Sequence, residues 1–363
     1  MSRRRSLSAL IGLHFAPFRK SQRTTITVLT CGLLLGRRLG LAAIARYMPG
    51  PVSVRHKIKR AGRFADNKRV HVHQATTCLL GWALSLCRRR PVVALDWTVL
   101  PRKRVMLTAA VALGGRAVPV AWTVMAERSF NSKRHNGRNN VEEKLILRLH
   151  KAFAGRAWTL TADRGFARAS LFSKLNEWGI DYVIRTSGNL WVATPSWSGR
   201  LYNIRRWPGC CERYGRALYQ KSRQVPVSLV VTHSAMAPEP WYLVTNLRGS
   251  RAVEKVYQRR MWIEEHFRDV KSGLGLGRIR LKRAHRIERL LIIAAVAILV
   301  GLSVGMSWQQ CHGHCDMQLT SHKRGRSLSL LNLGYELIRR ILIGQLPSSL
   351  VDKPLPLGQE GTS

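Results

Sequence analysis

Acidic residues are scarce in this chain of 363 residues. It contains 19 Asp and Glu against 61 Lys and Arg, which gives a formal net charge of +42. Such an excess makes a compact fold repel itself unless a polyanion neutralises it, so it indicates a nucleic acid or an anionic membrane as partner. A ribosome-like or structural DNA-binding protein has the same charge signature. The composition therefore limits the expected partner to a polyanion, and it does not indicate whether the protein is an enzyme or a binding protein.

Cysteine is scarce as well. The seven cysteines are scattered and odd in number, which is typical of a reducing cytoplasm and not of a disulfide framework. Residues 311–315 read Cys-His-Gly-His-Cys, but ligands this close together cannot easily all reach one tetrahedral zinc ion, so we interpret them as a loop. No apolar core with a cleavage site follows the basic N-terminus, and we predict no signal peptide.

The chain has a single long apolar run. Residues 290–306 are apolar or small apart from Ser303. The run is shorter than the roughly 20 residues of a membrane span, and it contains Gly301 and Gly305. A helix buried on all sides in a large α/β core has the same pattern. Because no second run of this kind exists, we predict a buried helix and no membrane partner.

The first 90 residues differ from the rest in charge. They hold 19 Lys and Arg and one acid, Asp66, and they contain two apolar stretches, a Pro-Gly-Pro break and a basic run. This pattern predicts a helical DNA-binding region with short helices and a basic second helix. A solvated basic face is the alternative. The predicted DNA contacts in the run are Arg55, Lys57, Lys59 and Arg60.

From residue 91 the pattern changes to α/β. Apolar runs and helical spacings follow in the order strand, hairpin, helix, strand, helix, strand, which predicts a mixed sheet. Turn-rich segments and short β-like runs predict an inserted β subdomain, and a small helical tail ends the chain. The predicted regions are 1–90 (helical), 91–185 (first part of the core), 186–240 (β insertion), 241–310 (second part of the core) and 311–363 (tail).

Two of the seven aspartates directly follow buried apolar runs. Asp96 comes after residues 92–95 and Asp163 after residues 158–162. The carboxyl ends of strands are where an α/β sheet exposes its active site. Burial penalises an unpaired carboxylate, so a divalent cation is a natural companion. An Asx turn or helix cap after each strand is the alternative.

A third acid lies in a basic helix predicted over residues 253–270. In a regular helix Tyr257, Arg260, Glu264 and Lys271 share one face. An exposed face with an Arg260–Glu264 ion pair is the alternative. Three acids on one core suit two-metal phosphoryl transfer, in which Mg²⁺ binds hard oxygen ligands.

These spacings carry a family resemblance. Residues 257–271 are similar to the YREK signature of the bacterial insertion-sequence-four family of DDE transposases. Residues 94–97, 161–166 and 239–247 resemble that family's two catalytic Asp blocks and the strand before its helix. Residues 36–67 resemble the N-terminal region of the subgroup that transposes through DNA hairpins.

The resemblance implies a fold, an activity and a set of site residues. The fold is a ribonuclease-H-like core, and the activity is cut-and-paste DNA transposition: binding of terminal inverted repeats, strand cleavage, hairpin formation and strand transfer. The cofactor is two Mg²⁺ ions, with Mn²⁺ as a substitute. The catalytic metal ligands are Asp96, Asp163 and Glu264; the phosphate contacts are Tyr257, Arg260 and Lys271; the ring that stacks on a flipped base is Trp241.

The resemblance also implies partners and a location. The partner is double-stranded DNA, bound by a homodimer in the bacterial cytoplasm at the nucleoid. Three alternatives stay open. One is a ribonuclease-H-like nuclease that cuts without joining strands, and another is an inactive DNA-binding remnant. The third concerns Trp241 alone, which is then a half-buried strand residue and not a base-stacking one.

Overall fold

Helices precede, interrupt and follow a set of strands along the chain. The structure is a computed structural model that describes residues 3–130, 137–204, 206–234, 239–312 and 328–347. Its helices are α1 Arg3–His14, α2 Lys20–Gly36, α3 Leu41–Tyr47, α4 Val54–Asp66, α5 Val72–Ser85, α6 Arg138–Ala152, α7 Ala169–Glu177, α8 Ser250–Gln258, α9 Trp262–Arg268, α10 Ala284–His312 and α11 Leu330–Ile343. Its strands are β1 Val92–Leu100, β2 Arg104–Leu113, β3 Arg116–Ala126, β4 Thr159–Ala162, β5 Asp181–Thr186, β6 Trp191–Ala193, β7 Ser198–Arg200, β8 Cys211–Tyr219, β9 Val225–Thr232 and β10 Trp241–Thr245.

The strands form one mixed sheet in the order β3-β2-β1-β4-β5-β10-β9-β8-β6-β7. β4 pairs parallel with both β1 and β5, whereas β10 pairs antiparallel with β5 and β9. The strands of the β insertion continue this sheet, because β9 pairs with β10 along five residues. The predicted α/β class, with a ribonuclease-H-like mixed sheet and helices at both ends, is confirmed.

The chain divides into two compact units. The first unit comprises residues 1–88, 97–145 and 265–363, and the second unit comprises residues 89–96 and 146–264. Each unit is therefore assembled from segments that are distant in the chain.

The first unit is built around α10. This helix is long and apolar enough to cross a membrane, but 89% of its most apolar 18-residue window is buried inside the protein. The buried-helix prediction is therefore confirmed. Arg289 of α10 donates hydrogen bonds to the carbonyl oxygens of Ala65 (3.1 Å) and Val70 (3.2 Å), which attaches the ends of the N-terminal helices to the core helix.

The C-terminal tail and the β-hairpin of the first unit also agree with their sequence patterns. The predicted helix over residues 328–343 is α11. The hairpin β2–β3 turns at Gly114 and Gly115, whose φ values of 58° and 77° lie in the left-handed region that glycine adopts without strain. Of the Cys-His cluster, Cys311 and His312 end α10, and residues 313–315 lie outside the described residues.

In the second unit, α8 packs on the sheet. Val253 and Tyr257, four residues apart on one helical face, form a buried cluster with Val183, Val230 and Leu243. The single regular helix predicted over residues 253–270 is wrong in detail: a 3₁₀ turn at Arg259–Met261 separates α8 from α9, and a π-helical segment, Asp269–Gly273, follows.

Candidate active site

Three charged residues form a row across the parallel strands of the second unit. The pairing register aligns Leu95 of β1 with Ala162 of β4. Ala162 in turn aligns with Ile184 of β5. The next residue on each strand is charged: Asp96, Asp163 and Arg185. Because neighbouring strands lie about 4.8 Å apart, the three side chains start from adjacent points of one row across the sheet.

The two aspartates differ in their local structure. β1 does not end at Asp96 as the sequence pattern suggested, since it continues to Leu100 after its pairing with β4 has ended. Asp163 is the residue after β4, and its Oδ1 accepts a hydrogen bond of 2.9 Å from the Gly165 amide. The Asx-turn interpretation of Asp163 is thus observed. One oxygen makes the turn, and a carboxylate has a second.

Arg260 connects the acids. Its side chain is only 10% exposed, and it lies between the carboxylates of Asp96 and Glu264. The Arg260 Nη2 to Glu264 Oε1 distance is 2.6 Å, a short charge-assisted hydrogen bond, whereas Nη1 to Asp96 Oδ2 is a looser 3.4 Å. Glu264 is half-exposed, so solvent reaches this end of the cluster.

The electrostatics of Arg260 and Tyr257 are coupled. Burial lowers the pKa of Arg260, but its interactions with Tyr257, Asp96, Glu264 and Asp163 outweigh that effect and the pKa is raised overall. All three predicted acids therefore act on this one guanidinium. Burial raises the pKa of the Tyr257 hydroxyl, and Arg260 and Arg185 counteract this only in part. The hydroxyl consequently keeps its proton at neutral pH.

Arg185 is a member of the site that the sequence patterns did not predict. It forms a hydrogen bond with Tyr257 and an ion pair with Glu239. A signal was present in the sequence: the third apolar strand run, like the first two, is followed directly by a charged residue. The sequence analysis considered only acidic residues at the ends of strands, so it did not identify Arg185, which is a cation.

Trp241 packs beside the cluster. Its ring meets the Tyr257 ring edge-on, with centroids 5.0 Å apart and an interplanar angle of 69°. It is half-buried at the start of β10, as the alternative interpretation of a strand tryptophan requires. One part of the ring is therefore accessible, and one part belongs to the core.

Other predicted contacts lie in the first unit. Lys271 is half-buried in the π-helical segment Asp269–Gly273. In α4, Arg55 and Lys59 are exposed, whereas Lys57 and Arg60 are half-buried. The Nη2 atom of Arg60 donates a 3.2 Å hydrogen bond to Thr25 of α2, so part of its function is structural.

The donor chemistry of the acids fits a divalent cation, because carboxylate oxygens are the hard ligands that Mg²⁺ prefers. The arrangement around Arg260 is not a ready-made metal cage. Over the described residues, no three His, Cys, Asp or Glu side chains are grouped closely enough to hold an ion together. Arg260 instead supplies the positive charge that Asp96 and Glu264 share.

One comparison with known proteins found a similar family. Residues 126–300, just under half of the chain, match the family model described as a transposase DDE domain. The matched range contains Asp163, Arg260 and Glu264, and Asp96 lies before it. A search of curated proteins found no match to the chain. The match supports a DNA transposase of the DDE family, a class that generally uses divalent metal ions.

Proposed function

We propose that the protein binds the terminal inverted repeats of a mobile DNA element, cuts the strands and joins them to target DNA. The observation that supports this most strongly is the convergence of Asp96 and Glu264 on Arg260, within the electrostatic reach of Asp163. Acids from β1, from the end of the adjacent strand β4 and from a helix, gathered around one arginine, form a site suited to phosphoryl transfer. The match of residues 126–300 to the transposase DDE domain model supports the same class of reaction.

In this proposal Asp96, Asp163 and Glu264 hold two Mg²⁺ ions, or Mn²⁺ as a substitute. When bound, such ions activate the attacking water or 3′-OH and stabilise the leaving oxygen. Arg260, once its carboxylate partners are engaged elsewhere, donates two hydrogen bonds to a phosphate of the cleaved strand. The protonated Tyr257 hydroxyl contacts the same strand, and Lys271 is a further phosphate contact in the proposal.

The reaction sequence we infer is cleavage, hairpin formation, reopening and strand transfer. In the cleavage step, water attacks the phosphorus at the transposon end and the 3′-oxygen leaves with a proton. That 3′-OH then attacks a phosphorus of the opposite strand; the new O–P bond closes the hairpin, and the 3′-oxygen of the flanking DNA leaves with a proton. Water reopens the hairpin at the same phosphorus and frees the 3′-OH again. In strand transfer this 3′-OH attacks a phosphorus of the target DNA, and the 3′-oxygen of the cut target strand leaves with a proton. The active species is a homodimer on double-stranded DNA, located in the bacterial cytoplasm at the nucleoid.

A single assay tests the proposal and separates it from its rivals. Purified protein is incubated with terminal-repeat DNA, target DNA and Mg²⁺, and the products are resolved on a denaturing gel. We expect nicked, hairpin and joined products in that order of appearance. Cleavage without joining favours a ribonuclease-H-like nuclease, and DNA binding without any cleavage favours an inactive remnant.

Trp241→Ala is expected to spare the first nick and impair the hairpin step. The first nick does not depend on an indole ring, whereas a tight hairpin leaves one base unstacked. Stacking of a base on an aromatic ring contributes about 1–3 kcal/mol, so we expect about a tenfold to hundredfold loss of hairpin product. Hairpin formation is measured in single-turnover reactions on pre-nicked DNA.

Trp241→Phe is the matched control for that experiment. Because Phe can maintain both a base stack and the edge-on contact with Tyr257, partial recovery of hairpin formation is expected. A substrate that lacks the flipped base should partly rescue Trp241→Ala. Equal loss of nicking and hairpin formation in Trp241→Ala, together with a lower melting temperature, would instead make Trp241 a core residue only.

Arg55→Ala with Lys59→Ala is expected to weaken DNA binding and flatten its salt dependence. Both side chains are exposed on α4. Removing one phosphate interaction reduces the slope of log K against log salt by about 0.9. Binding is measured by fluorescence anisotropy over a salt series.

Lys57→Ala and Arg60→Ala complete the test of the basic run. Arg60→Ala should also lower stability, because it removes the hydrogen bond to Thr25. An unchanged slope in the Arg55 and Lys59 variant would identify a solvated face.

A further inference from the structure

A groove of about 450 Å³ in the first unit is lined by two segments that are far apart in the chain. One is the connection from α2 into α3, and the other follows the π-helical segment. Among the residues that the structure describes, four arginines line it, two from each segment, and no acidic residue does; the arginines are Arg38, Arg46, Arg278 and Arg280. We name it the arginine groove.

A backbone hydrogen bond joins the two walls of the arginine groove. The Leu39 amide donates a 2.6 Å hydrogen bond to the Leu274 carbonyl oxygen, which joins the two segments directly. Gly275 adopts a left-handed φ of 74°, and a Cβ there would lie 3.6 Å from Cγ of Arg38, so the two walls are in close approach. Leu39 and Ile279 are buried beneath the arginines and form an apolar floor.

The four guanidinium groups are exposed and unneutralised. Within the described ranges none of them forms an ion pair, although other arginines of this chain, such as Arg116 and Arg286, do. Gathering four like charges in one groove opposes folding unless a polyanion is bound there. All four cations are arginines, which favours a phosphate ligand. A planar guanidinium group can donate two parallel hydrogen bonds to two oxygens of one phosphate, and a lysine ammonium cannot.

We propose that the arginine groove binds the sugar-phosphate backbone of duplex DNA independently of its sequence. The inference rests on the proposed function in that the protein must act on DNA, but it concerns residues other than those of α4 and of the acidic cluster. A DNA strand presents one phosphate about every 3.4 Å, so adjacent phosphates can meet several of these guanidinium groups together. The apolar floor suits the deoxyribose faces between the phosphates.

The test replaces all four groove arginines with alanine and measures binding over a salt series. The DNA probes are a terminal-repeat duplex and a scrambled duplex of equal length. We expect both affinities to fall by a similar factor, and the slope of log K against log salt to decrease by about 0.9 for each phosphate that the variant no longer binds. The control removes four exposed cations that do not line the arginine groove: Lys151, Arg156, Lys221 and Arg223.

Several results would overturn the proposal. One is the same slope in the groove variant and in the charge-matched control. Another is loss of binding to the terminal-repeat duplex alone, which would indicate base reading. A third is weaker binding to polyglutamate with unchanged binding to DNA, which would indicate an acidic protein partner. If the alanine variant has a lower melting temperature, four Arg→Lys substitutions replace it. These should keep the salt slope and lose affinity several-fold.

Failure of this inference is distinguishable from failure of the proposed function. Strand cleavage by wild-type protein tests the proposed function and does not depend on the slope measurement. If wild-type protein cleaves DNA and the groove variant has an unchanged salt slope, the inference about the arginine groove is wrong and the proposed function stands. If wild-type protein does not cleave DNA but the groove variant has a reduced salt slope, the groove is a DNA-binding surface and the proposed reaction is wrong.

Discussion

Asp96→Asn, Asp163→Asn and Glu264→Gln are each expected to abolish strand cleavage while leaving terminal-repeat binding nearly intact. An amide keeps the shape of the carboxylate and removes its charge, so a divalent cation loses a ligand. The electrostatic stabilisation at stake is several kcal/mol, which corresponds to a rate loss on the order of 10³-fold or more. Cleavage is measured under single-turnover conditions, and binding is measured by anisotropy.

The amide substitutions are chosen because the structure tolerates them. Asn at position 163 can still accept the Gly165 amide hydrogen bond that forms the Asx turn. Asp96 and Glu264 are 18% and 50% exposed, so an amide at either position is not left buried without water. The variants should therefore melt near the wild-type temperature, and a loss of activity can be assigned to chemistry.

Two acids that are not proposed ligands serve as matched controls. Glu265 is the neighbour of Glu264, but its partners are Arg116 and Arg268. Asp181 begins β5 and pairs with Arg90. Glu265→Gln and Asp181→Asn should retain cleavage. If Asp96→Asn, Asp163→Asn or Glu264→Gln cleaves as fast as these controls, that residue is not a ligand.

Gly334→Ala is expected to destabilise the first unit strongly. α10 and α11 cross with their backbones in contact, and a Cβ on Gly334 would lie 1.7 Å from the Gly301 carbonyl oxygen. A Cβ on Gly305 would likewise lie 2.0 Å from the Leu330 carbonyl oxygen. Backbone atoms cannot rotate away, so the helices must separate. We expect a loss at or above the upper end of the about 1–3 kcal/mol typical of overpacking.

Thermal unfolding followed by circular dichroism measures this effect. Gly305→Ala should resemble Gly334→Ala, because both added methyl groups meet backbone. The control is Gly81→Ala in the middle of α5, where an added Cβ has nothing within 4 Å. That substitution should stabilise the helix by about 0.5–1 kcal/mol. A Gly334→Ala protein with an unchanged melting temperature would show that α10 and α11 do not pack this closely.

Local patterns in the sequence predicted much of the fold. The apolar run over residues 290–306 was long enough for a helix and had no polar face, so burial on all sides followed. The Gly114-Gly115 pair between two β-like runs specified a hairpin, since both residues adopt positive φ. Asp96 and Asp163 were identified because an ionised side chain at the end of an apolar run needs a compensating partner.

The interactions between distant segments came from the tertiary structure alone. Sequence spacing is local, so it could not show that Asp96, Asp163 and Arg185 occupy one row, which depends on the register of three strands. Nor could it show that Arg260 lies between Asp96 and Glu264. The helix was predicted as regular, and the 3₁₀ turn and π-helical segment that interrupt it depend on how its neighbours pack.

The sequence by itself determined the α/β class and predicted a polyanionic partner and the acids of the candidate site, because charge, apolar periodicity and strand-end position are properties of short segments. The tertiary structure alone decided which cations meet those acids, which glycines permit helix contact, and that arginines more than 200 residues apart share one groove. Such pairings are fixed when the whole core packs, and no local pattern contains them.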